Sequence, residues 1–355
     1  MPLSSKTLAK QNIRLKAFMN RKLLSFLKYI LLLIITAALL FFAFRGISIG
    51  KVFSEMIKAN IFWASLSLIL SVIALISRAY RWNLLLEPLG YSPKLKNTTA
   101  AVSIGYFANL AFPRLGEVTR CGTLSRAESI PFSSLLGTVV VERIVDVITL
   151  LICLALTAVI EFKRLGNFLT QNIIDPLLGK IKHFIASPIG MIATIVFFAL
   201  IIFAVIYFKK RQKQKGKESA VAHFIKELIT GLKAIANLKR PWLFIFHSVF
   251  IWVLYFLSAY VCFFALPATS GLGLGPALFI LTLGGLGMSA PVQGGIGVYH
   301  LLVSQGLMLY GLSQQDGLAF ATLLHSMQIV MIVVLGSISL FLLFLERKKQ
   351  KAVAS

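Results

Sequence analysis

Acidic residues are scarce in this chain: 12 of its 355 residues are Asp or Glu, against 36 Lys and Arg, and all charged residues together make up 14%. Soluble proteins carry about 25% charged and about 45–50% apolar residues. Here 58% are hydrophobic and the mean hydropathy is +0.86, which excludes an ordinary pair of soluble domains. Cysteine is equally rare. Cys121, Cys153 and Cys262 stand far apart in or beside apolar runs, with no Cys-x-x-Cys and no His/Cys ligand spacing. Neither a disulfide framework nor a metal site follows from them, no other cofactor is indicated, and they read as packing residues. The aspartates are Asp146, Asp175 and Asp316, so there is no Asp-x-Asp pair of the kind that holds a metal in membrane transferases. The glycine-rich runs 284–287 and 294–297 lack a Walker lysine and a strand–turn–helix context, which removes a nucleotide loop. The apolar residues do not alternate along the chain, which excludes a transmembrane barrel.

What the chain does have is apolar runs long enough to cross about 30 Å of hydrocarbon. Full spans are expected at about residues 26–44, 61–77, 134–160, 188–208, 242–266 and 318–345. The net charge of +24 would suggest nucleic acid in a soluble protein. Here Lys and Arg cluster beside the spans, as in a membrane protein oriented by the positive-inside rule, so no nucleic acid is expected as a partner. The basic arm 1–25 precedes a first span that is too long for a signal-peptide core and has no small-residue cleavage site after it. That span is read as a retained helix with a cytoplasmic N-terminus. The basic tail 346–355 is placed on the same side, in the cytoplasmic (inner) membrane of a multi-pass protein.

Two apolar stretches, 100–113 and 277–310, are interrupted by Pro and Gly. If 100–113 crossed fully, the run Lys209, Lys210, Arg211, Lys213, Lys215, Lys217 would lie outside, against the charge rule. A segment that enters and leaves on the cytoplasmic side removes the conflict, leaving only Arg45, Lys51, Lys58, Lys163, Arg164, Lys180 and Lys182 outside. By the same logic 277–310 must enter and leave from the outside. The order span, span, break, span then occurs twice with opposite orientation, over about 26–160 and 188–345. Each break carries Pro-x-x-Gly, at Pro113–Gly116 and Pro291–Gly294. The expected fold is an all-α polytopic membrane protein of about six full spans plus two re-entrant or hairpin segments, arranged as an inverted repeat in a single domain, 26–345. In transporters, paired broken helices of this kind mark the substrate site; the competing reading is a pair of Pro/Gly kinks in an ordinary bundle. Between the halves, 209–240 holds a helical face of Val221, Phe224, Ile225, Leu228, Ile229, Leu232 and Ile235, read as a cytoplasmic amphipathic anchor. Residues 165–186 read as its external counterpart. Trp63, Trp82 and Trp242 fit interface anchoring.

Charges inside apolar segments are normally paired or face a wet cavity. Arg114, Glu117 and Arg120 form one cluster at spacing i, i+3, i+6, and Glu142, Arg143 and Asp146 form a second, with Glu142 and Asp146 on one helical face. Arginine suits bidentate binding of phosphate, and the acids suit a cationic or hydroxylated headgroup. A structural ion-pair network is the alternative. Gln293 and His300 are further candidates beside the second break; His247 and His325 read as packing histidines.

The stretches Ser77-Arg78-Ala79-Tyr80-Arg81-Trp82, Asn109-Leu110-Ala111-Phe112-Pro113-Arg114-Leu115-Gly116-Glu117, Glu142-Arg143-Ile144-Val145-Asp146 and Pro291-Val292-Gln293-Gly294-Gly295-Ile296-Gly297 resemble the lysylphosphatidylglycerol synthase transmembrane-region family of flippase-like proteins. The resemblance runs from about 26 to 345. It implies an integral membrane domain that moves, or helps to move, a headgroup-modified lipid or lipid-linked precursor. Some relatives join this domain to a soluble aminoacyl-lipid synthase; here only a basic tail follows Leu345, so the chain is expected not to be an enzyme. The family commonly places an acid after the second glycine motif, where this chain has His300, so a cationic headgroup is not implied. The alternatives are a non-transporting partner of envelope lipid or glycan synthesis enzymes and a metal-free headgroup transferase.

Overall fold

The computed structural model describes residues 56–169 and 238–354, together with Gly50 and Ser54. The expected spans at 26–44 and 188–208, the arm 1–25 and nearly all of the amphipathic segment 209–240 lie outside the described residues. Among the described residues every regular element is a helix. In chain order these are α1 (Ile61–Leu86), α2 (Leu95–Ala111), α3 (Leu115–Glu128), α4 (Phe132–Ile160), α5 (Phe162–Leu169), α6 (Pro241–Phe263), α7 (Leu274–Ser289), α8 (Val298–Met308) and α9 (Gln314–Ala354). Four are long and apolar enough to cross a membrane: Ile61–Leu89, Phe132–Ile160, Pro241–Phe263 and Gln314–Leu345. The protein is therefore an all-α, multi-pass membrane protein. The chain divides into two compact units, one of Met1–Val139 with Trp242–Ser355 and one of Val140–Pro241.

In the first unit a long helix, two short helices joined through a break, and a further long helix follow one another as α1, α2–α3 and the start of α4. The same order returns as α6, α7–α8 and α9. The short helices are too short to cross alone: α2 and α3 are about 25 and about 21 Å long, at about 1.5 Å per residue. They lie against each other. Their open ends are tied by Glu128, which accepts from the Lys94 backbone N–H at 2.9 Å and from the Asn97 side chain at 2.7 Å. The pair is thus a closed hairpin. Close approach needs Gly105 and Gly116 where the two helices meet, because a Cβ on Gly105 would stand 2.9 Å from the Gly116 carbonyl.

α1 has inverted polarity for a soluble helix. Ile69, Ile73 and Ile76 are exposed, while Ser67, Ser71, Ser77, Arg78 and Arg81 are buried. The buried polar side is bonded to α6. Ser67 donates to the Ser258 carbonyl at 2.9 Å, Ser71 and Ser258 hydroxyls lie 3.0 Å apart, and Ser77 meets His247 Nδ1 at 2.8 Å. In apolar surroundings small hydroxyl residues allow close packing and satisfy each other across helices. α9 starts on a capping serine: Ser313 accepts from the Asp316 N–H at 3.1 Å and donates its hydroxyl to the Asp316 carboxylate at 2.6 Å. It then packs on α8, α2 and α1.

Two sequence expectations are corrected in this unit. The second span does not end at Ser77 but runs on to Leu86, so Arg78 and Arg81 are not flanking interface charges. They are 5% and 0% exposed within the helix. Trp82 is no interface anchor either, being fully buried. The cysteines fit their expected role: none is in a disulfide and all are buried. In the second unit, α4 continues to Ile160 and α5 follows at Phe162, the turn between them carrying an Arg164–Glu161 ion pair of 3.5 Å.

Candidate functional site

The first break is set by Pro113. A proline disfavours helical backbone in the residue before it, and Phe112 is extended at φ −136°, ψ 118°. The chain then reverses at Arg114, which has a left-handed backbone at φ 64° although it is not glycine. Asn109 closes the turn, its side-chain oxygen accepting from the Gly116 N–H at 2.7 Å. Arg114 itself is exposed, and its side chain makes no hydrogen bond or ion pair among the described residues. Glu117, half-buried, sits in the first turn of α3, where a negative charge is favoured by the helix dipole. Arg120 is 3% exposed, with its guanidinium carbon 4.8 Å from the centroid of the Trp82 ring. Trp82 in turn donates from its indole N–H to Thr138 at 2.9 Å. One residue away, Arg81 reaches the Ser248 hydroxyl at 3.4 Å and lies 5.9 Å from the centroid of the Phe244 ring. Arg78 and Arg81 on α1 and Arg120 on α3 are thus three buried guanidiniums, Arg120 lying against the ring that follows Arg81, while Arg114 is exposed.

The second break is built in the same way. α7 ends at Ser289, Ala290 before Pro291 is extended at ψ 146°, and a short turn Gln293–Gly295 follows. Gly294 has φ +54°, and its carbonyl accepts a bond of 2.9 Å from His325 Nε2. The turn packs on α2, and a side chain at Gly294 would meet Leu110, four residues before Arg114. The two breaks are thus adjacent in one unit. Gln293 is half-buried in the turn, and His300 is buried on α8 with its ring centroid 5.0 Å from that of His325.

The sequence-predicted residues accordingly fall into two groups. Arg114, Glu117, Arg120, Gln293 and His300 belong to the unit that holds both breaks. Glu142, Arg143 and Asp146 lie on the part of α4 in the other unit, with Glu142 fully buried and the other two half-buried. Sequence reasoning missed Arg78 and Arg81 because it used them to end a span. It also missed an open cleft of about 790 Å³, whose polar wall is Thr119, Thr123, Ser125 and Arg126 on α3. Its apolar wall is Phe132 with Leu340, Leu343 and Phe344 on α9. The spacing of Thr119, Thr123 and Arg126 along one helical face was the available signal. Among the described residues no group of three or more His, Cys, Asp or Glu could hold a metal ion. The arrangement offers cationic and hydroxyl groups next to apolar walls, which is the chemistry of an amphiphile with an anionic head.

Comparison with known proteins follows the same lines. A family model described as the lysylphosphatidylglycerol synthase TM region matches residues 29–336. The chain is 25% identical over 335 residues to a UPF0104 membrane protein of Methanocaldococcus jannaschii, covering 91% of this chain and 97% of that one. It is 23% identical over 282 residues to the glycosyltransferase AglD of Haloferax volcanii, covering 73% of this chain but 45% of that protein's length. No solved structure matches.

Proposed function

The chain belongs to the lysylphosphatidylglycerol synthase TM-region family, and from that premise we propose that it is a lipid translocator of the cytoplasmic membrane with both termini inside. The observation that carries this reading is the pair of adjacent breaks with an exposed, left-handed Arg114 at one tip. A lipid with a phosphate-containing headgroup enters from the cleft between α3 and α9, its acyl chains along Leu340, Leu343 and Phe344 and its head toward Arg126 and the hydroxyls. Arg114 then takes the phosphate at the break, with Glu117 and Gln293 beside it to meet hydroxyl or amine groups of the head. Arginine suits that role because its planar fork pairs phosphate in two places and keeps its charge in apolar surroundings. In this reading the chain moves lipid rather than making it. With no nucleotide loop in the sequence, the driving force is a gradient, a partner or mass action.

The test is mass spectrometry of lipids that co-purify with wild type, Arg114→Ala and Glu142→Gln, each checked for folding. One headgroup class enriched in wild type and lost in Arg114→Ala supports the reading; a bulk-membrane profile in all three sinks it. Loss in Glu142→Gln as well shows that lipid retention depends on the α4 carboxylate too. The resemblance to AglD, a glycosyltransferase of which this chain spans less than half, favours one second reading: a non-transporting partner in lipid-linked glycan synthesis. That reading predicts a co-purifying enzyme and no enriched lipid.

A further inference from the structure

His300 and His325 come from different helices and meet behind the second break. Their ring centroids are 5.0 Å apart, and they are 6% and 1% exposed. His325 Nε2 lies 2.9 Å from the Gly294 carbonyl. A carbonyl only accepts, so Nε2 carries the proton and the Nδ1 of His325 is left with its lone pair. That Nδ1, and the Nδ1 of His300, are both buried without a hydrogen-bond partner. Buried polar atoms are nearly always bonded, and two orphan imidazole nitrogens in one pocket mark a site made to receive something.

The surroundings limit what that is. Tyr299 faces both rings, at 4.7 Å from His325 and 6.1 Å from His300. α6 carries the buried Cys262. α7 has no titratable residue; α2 brings Lys96 and Tyr106, α9 brings Asp316 and, beyond Leu345, Glu346, Arg347, Lys348, Lys349 and Lys351, and α1 brings Arg78, Tyr80 and Arg81. No charged side chain among the described residues contacts either imidazole. A divalent metal needs more donors than two nitrogens, and the described residues offer no such group. An anion would find no cation. A proton needs only one lone pair.

We propose that His300 and His325 form a single proton-binding site that holds one proton between them. The proton comes from water at the break, where Pro291 is exposed and Gln293 half-buried, and returns to water; no other group is oxidised, reduced or transferred. Two imidazolium rings at this separation repel, so the second ring stays neutral. Charging His325 strengthens its bond to the Gly294 carbonyl, because hydrogen bonds from an ionised donor are roughly twice as strong as neutral ones. The turn that Gly294 makes is the one that bears on Leu110 beside the first break, so the proton acts on the joint between the breaks. Its purpose as the coupling ion rests on the translocator reading; the binding site itself does not.

The experiment is a pH titration from 4 to 8.5 of full-length protein in lipid bilayers, labelled with 15N,13C-histidine and read by solid-state NMR. His300→Gln and His325→Gln assign the signals, and an unchanged His247 signal, held by its bond to Ser77, reports the fold. The expected result is one imidazolium per pair at the acid end. Removing either ring should move the midpoint of the other by one pH unit or more, a tenfold change in proton affinity. The proposal is overturned if both rings stay neutral down to pH 4, if both ionise together, or if each titrates indifferent to the other. Where a variant fails to fold, the wild-type count of imidazolium signals decides alone. A proton site found in protein that enriches no lipid keeps this proposal and removes the translocator reading; lipid enriched on a pair that never ionises does the reverse.

Discussion

Arg114→Gly separates the backbone role of this position from its charge. An L-residue in left-handed conformation costs about 1–2 kcal/mol, and Arg114 is held there at φ 64°. Glycine removes that cost but loses more freedom on folding, by about 0.5–1 kcal/mol relative to alanine. The side chain is exposed and makes no hydrogen bond or ion pair among the described residues, so its loss subtracts little. The balance is a variant as stable as wild type or more stable by up to about 1.5 kcal/mol. Arg114→Ala keeps the strained conformation and should match wild type in stability. Both should lose the enriched lipid. Stability is read by circular dichroism during unfolding in mixed micelles, and lipid by mass spectrometry of the purified protein. If the glycine variant is less stable by more than about 1 kcal/mol, the guanidinium holds the break together. If it is as stable as expected but retains the lipid, the phosphate assignment is wrong.

Four further outcomes are expected. Gly116→Ala puts a Cβ against the Gly105 carbonyl and the Asn109 side chain, which should destabilise by about 3 kcal/mol as overpacking, whereas Gly122→Ala, with open space around it, should gain about 1 kcal/mol of helix propensity; equal unfolding curves would contradict the hairpin packing. Ser258→Ala removes bonds to Ser67 and Ser71 and should lower stability in the same micelle assay by about 1 kcal/mol, within the range for such bonds in membranes. Trp82→Phe keeps a ring under Arg120 but loses the bond to Thr138, leaving a buried hydroxyl without that donor and costing about 1–3 kcal/mol. Because the native cysteines are all buried, Arg114→Cys and Pro291→Cys in intact vesicles should react with a charged maleimide far faster than Ile69→Cys on the exposed apolar face of α1; equal rates would place the breaks in lipid.

The broken hairpins were readable in the sequence because prolines 113 and 291 terminate helices locally, and a local signal needs no knowledge of partners. The order of long and short helices followed from the same punctuation. The end of α1 was misread for an opposite reason. Charge was taken as a boundary at Arg78, yet nothing in 78–86 breaks a helix, and the turn comes only at Glu87–Leu89 with Pro88. Burial of Arg81 depends on what α6 places opposite it, at Ser248 and Phe244, more than 160 residues away in the chain. Trp82 was misjudged on the same ground, since an indole that bonds Thr138 declares its role only through a distant partner. The left-handed Arg114 had no sequence signature at all: that conformation is expected at glycine, and here a glycine stands two positions further on.

The breaks themselves argue for water within the unit. In hydrocarbon, irregular backbone is tolerated only where protein covers it or where it lines a wet cavity, because every exposed amide needs a partner. The closed hairpin of α2 and α3 reaches about 25 Å from its tied ends at Lys94 and Glu128, short of the roughly 30 Å core. On the translocator reading, with the tied ends at the membrane surface, the tip falls within the depth of the membrane. Among the described residues the tip is not covered by protein: Phe112, Arg114 and Leu115 are exposed there, and so is Pro291 on the neighbouring break. A guanidinium cannot shed its proton in lipid, and this one has no ion pair among the described residues. On the translocator reading the tip sits in a hydrated recess, open to amphiphiles along the cleft of α3 and α9, and a recess of that kind is what a headgroup needs in order to leave the surface while its chains stay behind in the bilayer.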